Sequence, residues 1–113
     1  MSNRRSKKFE KAVAKDISGG SVQPASEALP YWKHDVRGDF WLVEHKYTEA
    51  ESFSIKKKYF QEVLKNAFKD GKLPVMVVEF PNKPELKLAV IRYDDFLALD
   101  EYLKKEEDAD KNL

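Results

Sequence analysis

The chain has 113 residues, 42% of them hydrophobic, with 21 Lys and Arg against 20 Asp and Glu and no Cys. This length and composition predict one folded domain over residues 1–113 and exclude disulfides and thiolate metal sites. No apolar run approaches the roughly 20 residues of a membrane span, and the start of the chain lacks the apolar core of a signal peptide, so we expect a cytoplasmic protein without a membrane partner.

The first half of the chain predicts one helix and one strong strand. Phe9, Val13 and Ile17 lie four residues apart, which is typical of an amphipathic helix from about Ser6 to Ile17. The stretch that follows contains two prolines and has the composition of a loop or an irregular edge strand. Residues 40–47 are rich in aromatic and branched side chains and predict a strand.

The second half predicts a helix, two strands and a last helix. Ser54 is the expected N-cap of a helix that ends near Asp70, just before Gly71. The nearly continuous apolar run from Leu73 to Phe80 predicts a strand buried on both faces. We then expect a strand from Leu86 to Tyr93, a helix capped by Asp94 or Asp95 that runs to about Lys105, and a frayed acidic tail over about 106–113.

These elements predict an α/β fold with the order α-β-β-α-β-β-α. We expect a central mixed sheet flanked by helices. The chain passes from strand 40–47 through the middle helix to strand 73–80, and a crossover of this kind makes the two strands parallel.

The strand over residues 40–47 carries a candidate catalytic pair. Side chains alternate along a strand, so Glu44 and Lys46 share one face while His45 lies on the other. Asp35 lies nine residues before Glu44, and a turn at 37–39 would fold it back beside that carboxylate. The pattern therefore predicts a site built from Asp35, Glu44 and Lys46.

Two carboxylates, together with phosphate oxygens and water, make an oxygen-rich site suited to Mg²⁺, and Mn²⁺ is expected to substitute. With only His34 and His45 available as imidazole ligands, a zinc site is poorly supplied. The metal would polarise a scissile phosphate and activate a water molecule. Lys46 would neutralise the charge that grows on the phosphorus centre.

Several alternatives stand beside this interpretation. Glu85-Leu86-Lys87 has the same Glu-x-Lys pattern, and we interpret it as an exposed cross-strand charge pattern; Glu44 and Lys46 alone would also fit a surface ion pair. His45 is expected to be packed or hydrogen-bonded rather than a catalytic base. Asp39 is an alternative metal ligand to Asp35, although its turn position already explains it.

Basic residues are unevenly distributed along the chain. Six of them, Arg4, Arg5, Lys7, Lys8, Lys11 and Lys15, accompany Glu10 in the first helix, and Lys56-Lys57-Lys58 opens the middle helix. Such asymmetry favours a face presented to a polyanion, although merely solvated faces would have the same composition. Tyr31 and Trp32 are candidates either for stacking on an unpaired base or for a core or dimer contact.

Separate segments, in this order, carry a family resemblance: Arg5–Glu10, Pro24-Ala25-Ser26, Asp35-Val36, Glu44-His45-Lys46 and Asp70–Pro74. From about Arg5 to Phe80 the chain resembles the small PD-(D/E)XK nucleases, most closely the Holliday junction resolvases of the archaeal and phage type. The resemblance implies a restriction-endonuclease-like fold. It also implies that Glu10 joins Asp35 and Glu44 as a metal ligand and acts with them and Lys46 in catalysis.

The resemblance further implies that Ser26 approaches the active centre or the DNA backbone. The distribution of basic residues predicts DNA contacts for Arg4, Arg5, Lys8, Lys56 and Lys57. Two positions depart from the family pattern. Glu27 stands where the family usually has glycine. Three alternatives are open for its carboxylate, which could join a metal, repel DNA or point away from both. His34 stands where proline or glycine is usual.

The sequence thus predicts a magnesium-dependent DNA endonuclease of recombination and repair that resolves four-way junctions. A homodimer is expected because a two-fold axis would place one site at each of the two strands to be cut. If the protein is phage-encoded, the compartment is the host cytoplasm. The alternatives are a nicking or mismatch-directed endonuclease, a DNA-binding module that keeps the fold without catalysis, and a protein-interaction adaptor that uses the acidic tail.

Overall fold

A computed structural model of the protein describes residues 3–22 and 35–111, and the side chains of 10–22 and 36–111 within them. These residues form three helices and five strands. In chain order they are α1 (Asn3–Asp16), β1 (Ser21–Val22), β2 (Asp35–Arg37), β3 (Trp41–Tyr47), α2 (Lys57–Lys69), β4 (Leu73–Phe80), β5 (Leu86–Val90) and α3 (Tyr93–Lys111). Within this described part, no helix is both long enough and apolar enough to cross a membrane.

The five strands form one mixed sheet with the order β1-β2-β3-β4-β5. The pairs β1–β2, β2–β3 and β4–β5 are antiparallel, whereas β3 and β4 are parallel. The α/β class, the mixed sheet and the parallel pair joined through α2 are therefore confirmed. The parallel pair needs a long crossover connection, and α2 provides it.

One face of the sheet is covered by α1. A valine-rich cluster joins the helix to three strands and consists of Val13, Ala14, Val36, Val43, Val75 and Val77. Gly38, at the turn before β3, lies so close to Ile17 that a β-carbon there would sit 2.8 Å from the isoleucine side chain. The carboxyl end of α1 therefore lies over the start of β3.

The opposite face is covered by α2. Alternation along β3 and β4 puts Leu42, Met76 and Val78 on this face, and all three are buried. Val63 and Ala67 are the buried residues of α2. Because each face has its own helix, β3 and β4 are buried from both sides, as the apolar run 73–80 predicts.

The predicted N-cap of α2 is wrong. The helix begins at Lys57, and its N-cap is Lys56, which has an extended backbone (φ −83°, ψ 134°) and makes no capping hydrogen bond through its side chain. Ser54 lies in the irregular segment before it, where Phe53 and Ile55 line a cleft instead of joining the helix. The carboxyl end agrees with the prediction, since Gly71 has a φ of +65° just after the helix.

The remaining differences concern the short and terminal elements. The two-residue strand β1 adds an element to the predicted order, which becomes α-β-β-β-α-β-β-α in the described residues. β5 ends at Val90 because α3 already begins at Tyr93, so neither aspartate is the N-cap. Asp95 instead accepts two hydrogen bonds from Arg92, at 2.7 and 2.9 Å, which raises the pKa of the guanidinium.

The predicted frayed tail from residue 106 is helical as far as Lys111. Ion pairs between Glu101 and Lys105 and between Glu107 and Lys111 join successive turns and favour the helix. Of the residues of α3, only Asp95 is buried. The helix therefore extends further than the sequence predicts, but it packs little against the sheet.

Candidate active site

The hairpin of β2 and β3 puts Asp35 directly opposite Glu44. The register pairs these two residues, as well as Val36 with Val43 and Arg37 with Leu42. The turn predicted at 37–39 closes with a 2.8 Å hydrogen bond from the Gly38 backbone N–H to the carbonyl oxygen of Trp41. Residues that lie opposite each other in an antiparallel pair belong to the same face of the sheet, with β-carbons about 5 Å apart. The hairpin thus makes residues 35 and 44 direct neighbours, although the side chain of Asp35 is outside the described side chains.

Glu44 is a nearly buried carboxylate that has two partners among the described side chains. Its residue is 8% exposed. The Lys46 ammonium lies 3.2 Å from its Oε1, and the Tyr59 hydroxyl donates a 3.0 Å hydrogen bond to the same oxygen. Neither contact uses Oε2. The predicted pairing of Glu44 and Lys46 on one face is confirmed, and the pair is a partly buried one rather than a surface pair.

Tyr59 completes this group from the first turn of α2. The Lys46 Nζ lies 4.3 Å from the centre of the Tyr59 ring, in the range of a cation–π contact. The helical pattern of the sequence indicates Tyr59 only as a packing residue, so sequence reasoning misses its place in the site. The signal that points to it is topological, because α2 follows β3 directly and its first turn must lie near the end of that strand.

A cleft of about 290 Å³ opens beside Lys46 and Tyr59. Phe53, Ile55 and Met76 give it apolar walls, and Lys56 adds a second cation.

The basic run at the start of α2 lies next to the same cleft. Lys56, Lys57 and Lys58 are all exposed. Within the described residues, no carboxylate lies within ion-pair distance of them. Their positions oppose the helix dipole, whose positive end is at the amino terminus. These lysines therefore do not stabilise the helix, and an anion beside them would offset their repulsion.

Glu10 lies in the other layer of the molecule. Its side chain is buried, at 2% exposure. It belongs to α1, which packs on the face of the sheet opposite to the one that carries Glu44 and Lys46. The predicted contribution of Glu10 to the metal centre stays a prediction.

Other predicted DNA-binding residues are only partly described. The structure describes the backbone of Arg4, Arg5 and Lys8 as part of α1, but it does not describe their side chains. Ser26, together with Glu27, His34 and the aromatic pair Tyr31-Trp32, lies outside the described residues. Lys11 and Lys15 of α1 are exposed to solvent.

The other face of the sheet explains two of the alternatives. His45 is 2% exposed, and its Nε2 lies 2.9 Å from Oε1 of Glu79, itself buried at 6%. This confirms a packed, hydrogen-bonded histidine. Lys87 lies opposite Glu79 in the β4–β5 pair, with 3.8 Å between Nζ and Oε1, so the second Glu-x-Lys pattern contributes a cross-strand charge contact.

Asp39 has a structural role at the hairpin turn. Its carboxylate accepts a 2.7 Å hydrogen bond from the Ser18 hydroxyl, and its backbone N–H donates a 2.7 Å hydrogen bond to the carbonyl oxygen of Ser18. These contacts tie the end of α1 to the turn and confirm the interpretation of Asp39 as a turn residue.

Of the three predicted metal ligands, the side chains of Glu10 and Glu44 are described. Among the described side chains, no group of three His, Asp or Glu is arranged to hold a metal ion. That set does not include the side chain of Asp35, the direct neighbour of Glu44. A carboxylate oxygen is a ligand that Mg²⁺ prefers, and Glu44 keeps Oε2 outside its two contacts.

The comparisons with known proteins do not indicate a function. No family model, curated protein or solved structure matches the chain.

Proposed function

We propose that the protein is a metal-dependent, structure-selective DNA endonuclease that hydrolyses phosphodiester bonds. Its proposed active site consists of Asp35, Glu44 and Lys46. One observation carries the proposal. The ammonium of Lys46 lies 3.2 Å from the nearly buried carboxylate of Glu44, and the strand register puts Asp35 directly opposite that carboxylate. An acid–acid–lysine arrangement beside a basic cleft suits the hydrolysis of a phosphodiester.

Asp35 and Glu44 are the proposed metal ligands. Glu10 belongs to the proposal as a third ligand through the family resemblance alone, since α1 packs on the other face of the sheet. Mg²⁺ or Mn²⁺ bound there would supply positive charge and an activated water molecule. Glu44 is held by two donors at Oε1 and would bind through Oε2. Lys46 is long enough to donate to a phosphate oxygen while it stays close to Glu44, and its charge would stabilise the transition state.

The proposed partner is DNA, because the cleft is flanked by cations. The three lysines at the start of α2 are exposed, and they lie beside the cleft that Lys46 enters. Phosphates would be favoured there by both the ammonium groups and the positive end of the helix. Arg4, Arg5 and Lys8 belong to the same proposal through the distribution of basic residues, and Ser26 through the family resemblance.

A four-way junction is the proposed substrate, and a homodimer is the proposed assembly. Both rest on the resemblance to the Holliday junction resolvases. A two-fold dimer would bring one site to each of two symmetric strands, which one chain of 113 residues is too small to reach alone.

The test compares labelled four-way junction, nicked duplex and linear duplex with the purified protein in Mg²⁺ and in Mn²⁺. We expect symmetric cleavage of the junction and weak cleavage of the linear duplex. Equal cleavage of all three would indicate a nicking or less selective endonuclease. Binding without cleavage would indicate a DNA-binding module and overturn the catalytic proposal.

The matched variants are Asp35→Asn and Asp39→Asn, which change two aspartates of the same hairpin. Asp35→Asn is expected to abolish cleavage and to keep junction binding. Asp39→Asn changes only the contact with Ser18 and is expected to cleave at a rate close to that of the wild type. Full activity in Asp35→Asn would remove Asp35 from the proposed site.

A further inference from the structure

Tyr59 contacts both members of the Glu44–Lys46 pair. Its hydroxyl donates to Oε1 of Glu44 at 3.0 Å, and the Lys46 ammonium lies 4.3 Å from the centre of its ring. The residue is 36% exposed and is one of the residues that line the cleft beside Lys46. Two different groups of one side chain, the hydroxyl and the ring, thus act on two different residues.

The hydroxyl fixes the orientation of the Glu44 carboxylate. A glutamate side chain has several rotatable bonds, and a carboxylate that binds a metal loses affinity when it is free to turn. Tyr59 and Lys46 both hold Oε1, so the group is locked with Oε2 in a defined direction. Hydrogen-bond partners of this kind orient metal ligands and typically change metal affinity by about 10- to 100-fold.

The ring restricts the ammonium of Lys46. A lysine carries its charge on a flexible four-carbon stem, and holding it in one place requires contacts on more than one side. The carboxylate of Glu44 and the face of the Tyr59 ring supply two such contacts. The ring contact is expected to survive removal of the hydroxyl, because it depends on the aromatic face.

α2 has anchors on the sheet other than Tyr59. Val63 and Ala67 are the buried residues of the helix, at 6% and 0% exposure. Tyr59 lies one turn before Val63 and lines the cleft. Its hydroxyl and its ring contact Glu44 and Lys46 in addition to this place in the cleft wall.

We propose that Tyr59 is a positioning residue that sets the metal affinity of Glu44 through its hydroxyl and the placement of Lys46 through its ring. The proposal rests on the proposed nuclease function. It predicts that the two halves of the side chain affect two different quantities, which a merely structural tyrosine would not do.

The experiment measures Mn²⁺ binding by calorimetry and junction cleavage over a range of Mn²⁺ concentrations. For Tyr59→Phe we expect Mn²⁺ to bind about 10-fold more weakly, with nearly full cleavage at saturating Mn²⁺. For Tyr59→Leu we expect the same weaker binding and also a cleavage rate at saturation that is lower by at least about 10-fold. The control is Tyr102→Phe, because Tyr102 is 59% exposed in α3 and is expected to change neither quantity.

The outcomes separate the two proposals. Unchanged Mn²⁺ affinity in Tyr59→Phe overturns the role of Tyr59, even if the wild type cleaves DNA normally. A wild type that binds Mn²⁺ but cleaves none of the substrates overturns the nuclease function, and the binding data then still decide the role of the hydroxyl. A wild type that does not bind Mn²⁺ overturns both. Thermal unfolding of each variant identifies any loss that comes from misfolding.

Discussion

The two faces of the central sheet each carry a buried carboxylate beside a cation. On the face covered by α2, Glu44 is 8% exposed and contacts Lys46 and Tyr59. On the face covered by α1, Glu79 is 6% exposed and contacts His45 and Lys87. Burial and pairing alone therefore do not distinguish a candidate catalytic carboxylate from a structural one.

The neighbours of the two carboxylates make the difference. Glu44 lies opposite another acid, Asp35, and its lysine enters a cleft. Glu79 lies opposite Lys87, and its other partner, His45, has a side chain that is only 1% exposed. A carboxylate opposite a second carboxylate favours a metal, whereas Glu79 has a cation, Lys87, as its neighbour across the sheet. The comparison indicates that the residues around an acid, more than its burial, are informative about its role.

The largest expected effect comes from exchanging each carboxylate for its amide. Glu44→Gln removes a proposed metal ligand and is expected to bring junction cleavage below detection while the protein stays folded. Glu79→Gln is expected to keep cleavage by the folded protein and to lower the free energy of unfolding by about 1–3 kcal/mol, because a buried charge-assisted hydrogen bond is weakened. Cleavage assays and urea denaturation of both variants measure this. Loss of cleavage in folded Glu79→Gln would contradict the assignment of a purely structural role to Glu79.

The two lysines give the next largest contrast. Lys46→Ala is expected to slow cleavage by about 10²–10³-fold, as is typical when one charge-stabilising group is removed from an active site. Lys87→Ala is expected to leave the cleavage rate unchanged. It should cost less than about 1 kcal/mol of stability, since the lysine side chain is 43% exposed and 3.8 Å from its partner. Single-turnover rates at saturating protein compare the two, and equal rates would contradict the assignment of the pair at Glu44.

A smaller effect is expected from the basic run at the start of α2, whose first residue, Lys56, lines the cleft. Replacing Lys56, Lys57 and Lys58 by Ala should weaken junction binding. The fall of log K with log salt concentration should also become less steep, by about 0.9 for each phosphate that the variant no longer neutralises. The control replaces the three lysines of α3, at 104, 105 and 111, and is expected to leave the slope unchanged. Fluorescence anisotropy at several salt concentrations measures both. An unchanged slope in the first variant would remove α2 from the proposed DNA surface.

The smallest expected effect belongs to Gly71, which lies between α2 and β4. Gly71 has a φ of +65° and precedes β4, and a β-carbon added there meets no atom within 4 Å. Gly71→Ala is therefore expected to cost about 1 kcal/mol through backbone strain alone. Denaturation measures the loss, and the cleavage rate of the folded protein should stay as in the wild type. A large drop in that rate would mean that general stability, rather than local chemistry, controls the site.

The sequence predicts the parts of the fold that follow from periodicity. Alternation along β3 is sufficient to separate Glu44 and Lys46 from His45, and the apolar run 73–80 identifies the buried parallel strand. These predictions succeed because a period of two and burial on both faces are local properties of the chain.

The sequence does not predict features that depend on a contact between distant parts of the chain or on which of two local signals prevails. Tyr59 fits a helical apolar pattern, and only the packing of α2 over the end of β3 brings its hydroxyl to Glu44. Ser54 has the right chemistry for an N-cap, but the segment before Lys57 is irregular and places Ile55 in the cleft wall. The strand Ser21–Val22 has two residues, too few to give any periodic signal.

The described site comes from one continuous stretch of chain, the β2–β3 hairpin and the first turn of α2. Closing these contacts requires only short loops, so their entropic cost is small. Folding speed depends on such sequence separations, and the site belongs to the part of the chain that can form early. β5 and the exposed helix α3 contribute no residue to this described site.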